Sequence, residues 1–259
     1  MTPVNWQLNT KIPPAVFRRY TLANMERGLE QIKVGEIKND PLYIVGSGPS
    51  LSETWHELKD RPGEIWALNS AFDWLCSQGI RPDYGVCIAC EDEILRYFQN
   101  IEPQDKFLFA SQTHPVLVDR ALDKGAEVKF WNVACPSDWD DMPILPEPRI
   151  YGGGTIGTRA IDLAWIMGFR NIHLLGIDAS LSRDGRIAVD TPMYDDRRDS
   201  LRTFLINGRA FVAMPSHARQ VEDFASVLRP LIGLSMTLYG DGMLQWSLNN
   251  AAESGLERN

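Results

Sequence analysis

The chain reads as an α/β protein built on a mostly parallel sheet with helices on both faces. Three observations predict this. A short apolar run, Tyr43-Ile44-Val45, ends in Gly46-Ser47-Gly48-Pro49-Ser50, the pattern of a buried strand that turns on glycine into a helix. Beyond Asp40, apolar runs of strand length alternate with helical stretches over short links, the order that yields parallel strands with crossover helices. A second glycine cluster, Tyr151-Gly152-Gly153-Gly154-Thr155, leads into the apolar helical stretch Ala160–Gly168.

Taken in order, residues 1–40 read as a helical N-terminal arm, because Leu22, Met25, Leu29 and Ile32 recur at helical spacing between Pro14 and Ile37. Residues 41–259 read as one α/β domain. Strands are expected at Leu42–Val45, Glu64–Asn69, Tyr84–Cys90, Lys106–Ser111, Val128–Val133 and Asn171–Ile177. Helices are expected after Ser50, after Ser70, near Glu91–Gln99, at Pro115–Lys124 and at Thr155–Gly168. The pattern changes after Asp178. Ser180–Leu201 is polar and crowded with Arg and Asp, the profile of a lid or a solvated, salt-bridged loop. Asn207-Gly208 between two apolar runs is a strong hairpin cue, pairing Thr203–Ile206 with Arg209–Val212. A helix at about Ala218–Ile232 and a strand at Ser235–Tyr239 follow.

The 259 residues are 44% hydrophobic and 23% charged, ordinary for a soluble globular protein with a sizeable core. A net charge of −8 argues against binding free nucleic acid. No apolar stretch is long enough to span a bilayer, and Met1–Lys11 lacks the apolar core of a secretory signal. Cys87 and Cys90 form a CxxC spacing within an expected strand, where residues three apart face opposite sides. With no second CxxC, buried free thiols are the better reading. That usage points to a reducing, cytoplasmic setting. Oligomeric state is left open, a homo-oligomer included.

The chemistry is expected at the two glycine turns. In the first, Gly46, Ser47 and Gly48 let a ligand approach the backbone, and Pro49 and Ser50 open a helix whose free N–H groups suit an anion. It is not the dinucleotide fingerprint, because Leu51 stands where a third Gly belongs. In the second, Gly153, Gly154 and the capping Thr155 again expose amides at a helix start. A plain strand-to-helix turn, or close packing that requires Gly, is the alternative for each.

Asn69 ends a strand and offers a donor and an acceptor to a ribose or base edge, or it caps the next helix. Glu91 and Asp92 follow one expected strand, and Asp178 follows another. They could hold Mg²⁺, which takes one or two carboxylates beside substrate phosphates, or serve as helix caps. Among the four histidines, His114 follows a strand and His217 precedes the last long helix, so these two are the candidate bases. Arg197 and Arg198 in the lid suit a phosphate or acidic group. No Gly-x-Ser-x-Gly elbow and no HExxH is present.

The ordered set Gly46-Ser47-Gly48-Pro49-Ser50-Leu51, Asn69, Gly79-Ile80-Arg81-Pro82-Asp83, Gly152-Gly153-Gly154-Thr155-Ile156-Gly157 and Gly168–Asp178 resembles the MptE-like family, named for a hydroxymethyldihydropterin diphosphokinase. That family is itself similar to the Maf motility-associated glycosyltransferases and, more distantly, to bacterial sialyltransferases. The resemblance implies a Rossmann-like domain with a nucleotide at the two glycine turns. It implies a transferase with one of two donors: ATP with Mg²⁺, passing diphosphate to a hydroxymethyl acceptor, or a nucleotide sugar, passing a glycosyl group. The acceptor is unknown. In the sialyltransferase-like branch the catalytic His comes from the lid and the later segment. Here no His lies between Asp178 and Pro215, so only His217 could substitute. A non-catalytic nucleotide-binding protein is the third reading.

Overall fold

A computed structural model describes residues 12–134, 142–189, 200–228 and 231–250, the side chains of 225–228 apart. The strands are β1 (Lys38–Val45), β2 (Glu64–Leu68), β3 (Tyr84–Cys87), β4 (Lys106–Ala110), β5 (Glu127–Val133), β6 (Arg149–Ile150), β7 (Phe169–Leu175), β8 (Arg202–Ile206), β9 (Arg209–Ala213) and β10 (Ser235–Leu238). The helices are α1 (Pro14–Met25), α2 (Leu51–Thr54), α3 (Ala71–Ser77), α4 (Pro115–Asp123), α5 (Ile156–Ile166), α6 (Pro215–Leu228) and α7 (Met243–Asn249).

Eight strands form one sheet in the order β10-β7-β1-β2-β3-β4-β5-β6, and each neighbouring pair is parallel. The chain runs outward from β1 through β2 to β6, then returns to place β7 on the other side of β1. The strand order therefore reverses between β1 and β7. This is a Rossmann-like α/β fold, and β8 and β9 form a separate antiparallel hairpin. Its turn uses Asn207 and Gly208 at φ +46° and +77°. Two successive positive φ values make the type I′ turn that Asn-Gly favours.

Strand alternation builds two cores. Leu42, Ile44, Trp66, Leu68, Leu108 and Trp131 face one side, with α5, Phe224 of α6, and α7. Tyr43, Val45, Ala67, Phe107, Phe109 and Phe130 face the other, with α3 and α4. Both faces of the strands are thus covered, as all-parallel sheets require. Among the described residues, no helix is long and apolar enough to cross a membrane.

Several boundaries differ from the sequence reading. The N-terminal helix expected to reach Ile37 stops at Met25, with Gly28 at φ +64° just beyond. Residues 30–32 then run extended beside β5, where Ile32 N–H donates to Phe130 O and Phe130 N–H to Glu30 O. The helix after Ser50 has a single turn, continued by a 3-10 turn at Trp55–Leu58, and it starts at Leu51, so Pro49 lies before it. Glu91–Gln99 holds only a 3-10 turn, Asp92–Arg96. β3 ends at Cys87, which leaves Cys90 beyond it. Both residues are buried and outside any disulfide, and Cys135 lies outside the described residues.

Candidate functional site

The ends of β1 and β7 are locked together by backbone contacts that require glycine. Gly46 N–H donates to Leu175 O at 2.8 Å, and Gly48 N–H to Gly176 O at 2.7 Å. Gly176 adopts φ +61°, and a Cβ there would lie 2.2 Å from Gly46 O. That close approach turns the chain after Leu175 and ends the strand two residues earlier than Ile177.

Asp178 follows as the anchor of this region. Ser50 N–H donates to its Oδ2 at 2.8 Å and Ser50 Oγ–H to its Oδ1 at 2.6 Å. The residue is 4% exposed, and burial raises its carboxyl from the usual 3.8 to about 6, with the Ser50 bonds opposing. Its backbone carbonyl accepts from Leu244 N–H at 3.1 Å, and a Cβ on Gly242 would sit 2.5 Å from that oxygen. Ser180 Oγ accepts from Met243 N–H. The turn after β10 and the start of α7 thus close over the end of β7. Nothing in the sequence reading points to α7.

The second glycine turn is fastened from α5. Asp162 accepts the Tyr151 N–H at 2.8 Å, and the buried Arg159 donates Nη1–H to Ile150 O at 2.9 Å. Gly152 at φ +43° passes so close to α5 that a Cβ would meet Arg159 Cα at 2.6 Å. Thr155 caps α5 by accepting from Thr158 N–H. The first amides of α5, Ile156 and Gly157, have no intrahelical acceptor by construction, and both residues border a crevice.

That crevice has a volume of about 350 Å³ and lies at the carboxyl ends of β1 and β7. Gly46, Ser47 and Gly48 line it from the first turn, and Gly154, Thr155, Ile156 and Gly157 from the second. Asn69, Asp178, His217 and Gln220 line it too, with Glu91 and Glu93. The two turns, far apart in sequence, therefore meet at one cavity. Gly153 is absent from the lining. A second cavity of about 520 Å³ lies on the other side of Asp178, lined by Pro49, Ser50, Arg183, Arg186, Arg209 and Asp241. Its arginines face carboxylates: Arg183 and Arg209 pair with Asp241, and Arg186 with Asp184.

The two turns differ in what they leave open. In the first, the amides of Gly46, Gly48 and Ser50 are engaged by Leu175, Gly176 and Asp178. A carboxylate of the chain itself thus stands where an anion was expected. The second turn opens onto the α5 N-terminus, whose dipole and amides face the crevice.

Other expected residues lie elsewhere. His114 caps α4: its Nδ1 accepts the Val116 N–H at 3.3 Å, which leaves the ring proton on Nε2, 3.2 Å from Asp92 Oδ1. Neither His114 nor Asp92 borders the crevice. The structure does not bring Asp92 and Asp178 together at the crevice: Asp92 faces His114, and both oxygens of Asp178 are held by Ser50. Among the described residues, no cluster of three or more His, Cys, Asp or Glu is arranged to hold a metal. Arg197 and Arg198 lie outside the described residues. The described start of the expected lid crosses the first turn, where Val189 N–H donates to Ser47 O, and reaches the hairpin, where Leu181 N–H donates to Val212 O. Ile187 and Ala188 border the crevice from this segment.

Of the strand-end carboxylates singled out in the sequence, Glu91 and Asp178 line the crevice. Glu93 and Gln220 line it without having been singled out, and Glu93 follows β3, a signal visible in the sequence. Gln220 reaches the crevice only because α6 folds across α5, which no local pattern reveals.

A search of curated proteins finds no match. Among solved structures, the chain is similar to the Maf glycosyltransferase from Magnetospirillum magneticum AMB-1, with a TM-score of 0.62 and 17% identity over 93% of this chain and 41% of that one. The chain thus spans about two fifths of that protein, and the likeness is one of fold. The family profile described as 6-hydroxymethylpterin diphosphokinase MptE-like matches residues 19–184. With the Rossmann-like sheet and the paired glycine turns, that match shows that the chain belongs to the MptE-like family.

Proposed function

We propose that the chain is a nucleotide-dependent transferase whose nucleotide sits in the crevice between the two glycine turns. The observation that carries this reading is the position of the crevice. It lies outside the carboxyl ends of β1 and β7, where the strand order reverses, and open α/β sheets bind their ligands at that switch point. The Ile156 and Gly157 amides at the start of α5 would hold phosphate oxygens.

The family favours diphosphoryl transfer from ATP to a hydroxymethyl acceptor. An acceptor hydroxyl would attack the β-phosphorus, the bond from the α–β bridging oxygen to that phosphorus would break, and AMP would leave with the electron pair. The hydroxyl proton would pass to a base, for which His217 is the imidazole bordering the crevice. Such transfer depends on positioning and charge stabilisation more than on a strong base. Glycosyl transfer from a nucleotide sugar is the second reading. It is favoured by the extent of the Maf likeness, 93% of this chain, which runs beyond the family match at residue 184.

A thermal-shift panel of nucleotides, with and without Mg²⁺, separates these readings, because a ligand that binds only the native state raises apparent stability. Stabilisation by ATP with Mg²⁺ supports diphosphoryl transfer. Stabilisation by CMP or UDP supports glycosyl transfer. No response to any nucleotide contradicts the nucleotide reading.

A further inference from the structure

Two side-chain amides border the crevice with polar atoms that have no partner among the described residues. Asn69, at the end of β2, holds φ +47°, and its Oδ1 is buried with no hydrogen bond. Gln220, on α6, is 7% exposed, and its amide makes no hydrogen bond to another described residue. Room for it comes from Gly157, where a Cβ would lie 2.9 Å from Gln220 Nε2. A buried polar group left unpaired is costly, and a native chain that keeps one needs a reason. Here one such atom, Asn69 Oδ1, and a second amide, that of Gln220, reach the same cavity from different elements.

The rest of the lining says what they would meet. Leu68, Ile88, Ile94, Ile156 and Ile177 supply apolar walls. Glu91 and Glu93 also line the cavity, and no Lys or Arg does among its described lining residues. An apolar slot with acceptors and amides, and without cations, suits an uncharged ring that presents N–H donors. A side-chain amide matches an amino group beside a ring-nitrogen acceptor with two parallel hydrogen bonds. Uracil N3–H and O4 match one amide equally well, but an exocyclic amino group carries two hydrogens, one for each of the two amide oxygens, whereas uracil O4 donates none and would leave Asn69 Oδ1 unpaired.

We infer that Asn69 and Gln220 form an amide clamp that reads the amino-bearing edge of the nucleotide's base, selecting adenine- or cytosine-type rings over uracil. This rests on the proposed nucleotide site and assigns its base-specificity residues.

Isothermal titration of the full chain with ADP, CDP, UDP and inorganic pyrophosphate tests it, on the parent and on Gln220→Leu and Asn69→Gly. Leucine keeps the volume of glutamine without its amide, and glycine accepts the positive φ of Asn69. The clamp predicts that ADP or CDP binds at least about 10-fold tighter than UDP, a modest value for one bidentate amide–base pair. Either folded variant should bring that ratio close to one and leave pyrophosphate binding unchanged. Equal binding of UDP by the parent, or a ratio that survives in both variants, overturns the clamp and leaves the nucleotide site standing. A folded parent that binds no nucleoside diphosphate overturns both.

Discussion

Ser50 holds Asp178 with both of its donors, its backbone N–H on Oδ2 and its hydroxyl on Oδ1. The two residues come from the turns after β1 and β7, so this contact ties the strands at the point where the sheet order reverses. It also buries a carboxylate in the wall shared by the two cavities.

The buried carboxylate makes stability depend on pH. Folding raises Asp178 from 3.8 to about 6, so the folded chain holds this proton more tightly than the unfolded chain. Its favourable contribution is complete below pH 3.8 and is lost as pH rises through about 6. Asp178→Asn cannot titrate. Between pH 4 and pH 7 the parent should therefore lose about 2 kcal/mol relative to the variant, most of the free-energy equivalent of lifting a carboxyl that far. Urea unfolding of both chains across that range measures the difference. Parallel curves would show that Asp178 titrates alike in both states.

Gly48 should be intolerant of any side chain for structural reasons. A Cβ there would lie 2.5 Å from Asp178 Oδ2 and 2.7 Å from Gly176 O. Gly48→Ala should destabilise by about 1–3 kcal/mol, the usual range for overpacking. Gly185 has nothing within 4 Å of its Cβ position and a φ of +84°, so Gly185→Ala should cost only its backbone strain, about 1–2 kcal/mol. Denaturation midpoints rank the two. A Gly48→Ala chain as stable as the parent would contradict the packing around Asp178.

The histidines should separate by function. His114→Ala removes a helix cap and should cost about 1 kcal/mol of stability, with turnover unchanged once the protein is folded. His217→Ala should leave the melting temperature nearly unchanged and lower turnover by about 10²-fold or more if the ring takes the acceptor proton. Loss of activity in the His114 variant, with full activity in the His217 variant, would reverse these roles.

Residues 180–189 should close down on a bound nucleotide, because Ile187 and Ala188 border the crevice and Val189 is tied to Ser47. Hydrogen exchange at Leu181 and Val189 should slow on nucleotide addition, while the β8–β9 turn at Asn207-Gly208 stays unchanged. Identical exchange in both states would leave this segment a fixed wall.

The sheet is legible in the sequence because its strands are continuous apolar runs bounded by glycine, the pattern of strands buried on both faces. The hairpin is legible because Asn207-Gly208 has one favoured geometry. The arm misleads because Leu29 and Ile32 keep helical spacing past Gly28, although they pack from an extended segment. β6, with two residues, is too short to carry a period. Within the site, Asp178 can be read from its place after an apolar strand. The use of its oxygens by Ser50, the closed amides of the first turn and the arrival of Gln220 all depend on tertiary approach.

The most direct test of the nucleotide crevice is amide chemical-shift mapping of the labelled full chain as ATP, with Mg²⁺, and then CDP are titrated in. The account predicts perturbations concentrated at Gly154–Gly157, Gly46–Gly48, Asn69 and Gln220, with little change at the far end of the sheet around Lys38 and Glu64. Perturbations confined to the cavity lined by Arg183, Arg186 and Arg209, or none at saturating nucleotide, would contradict it.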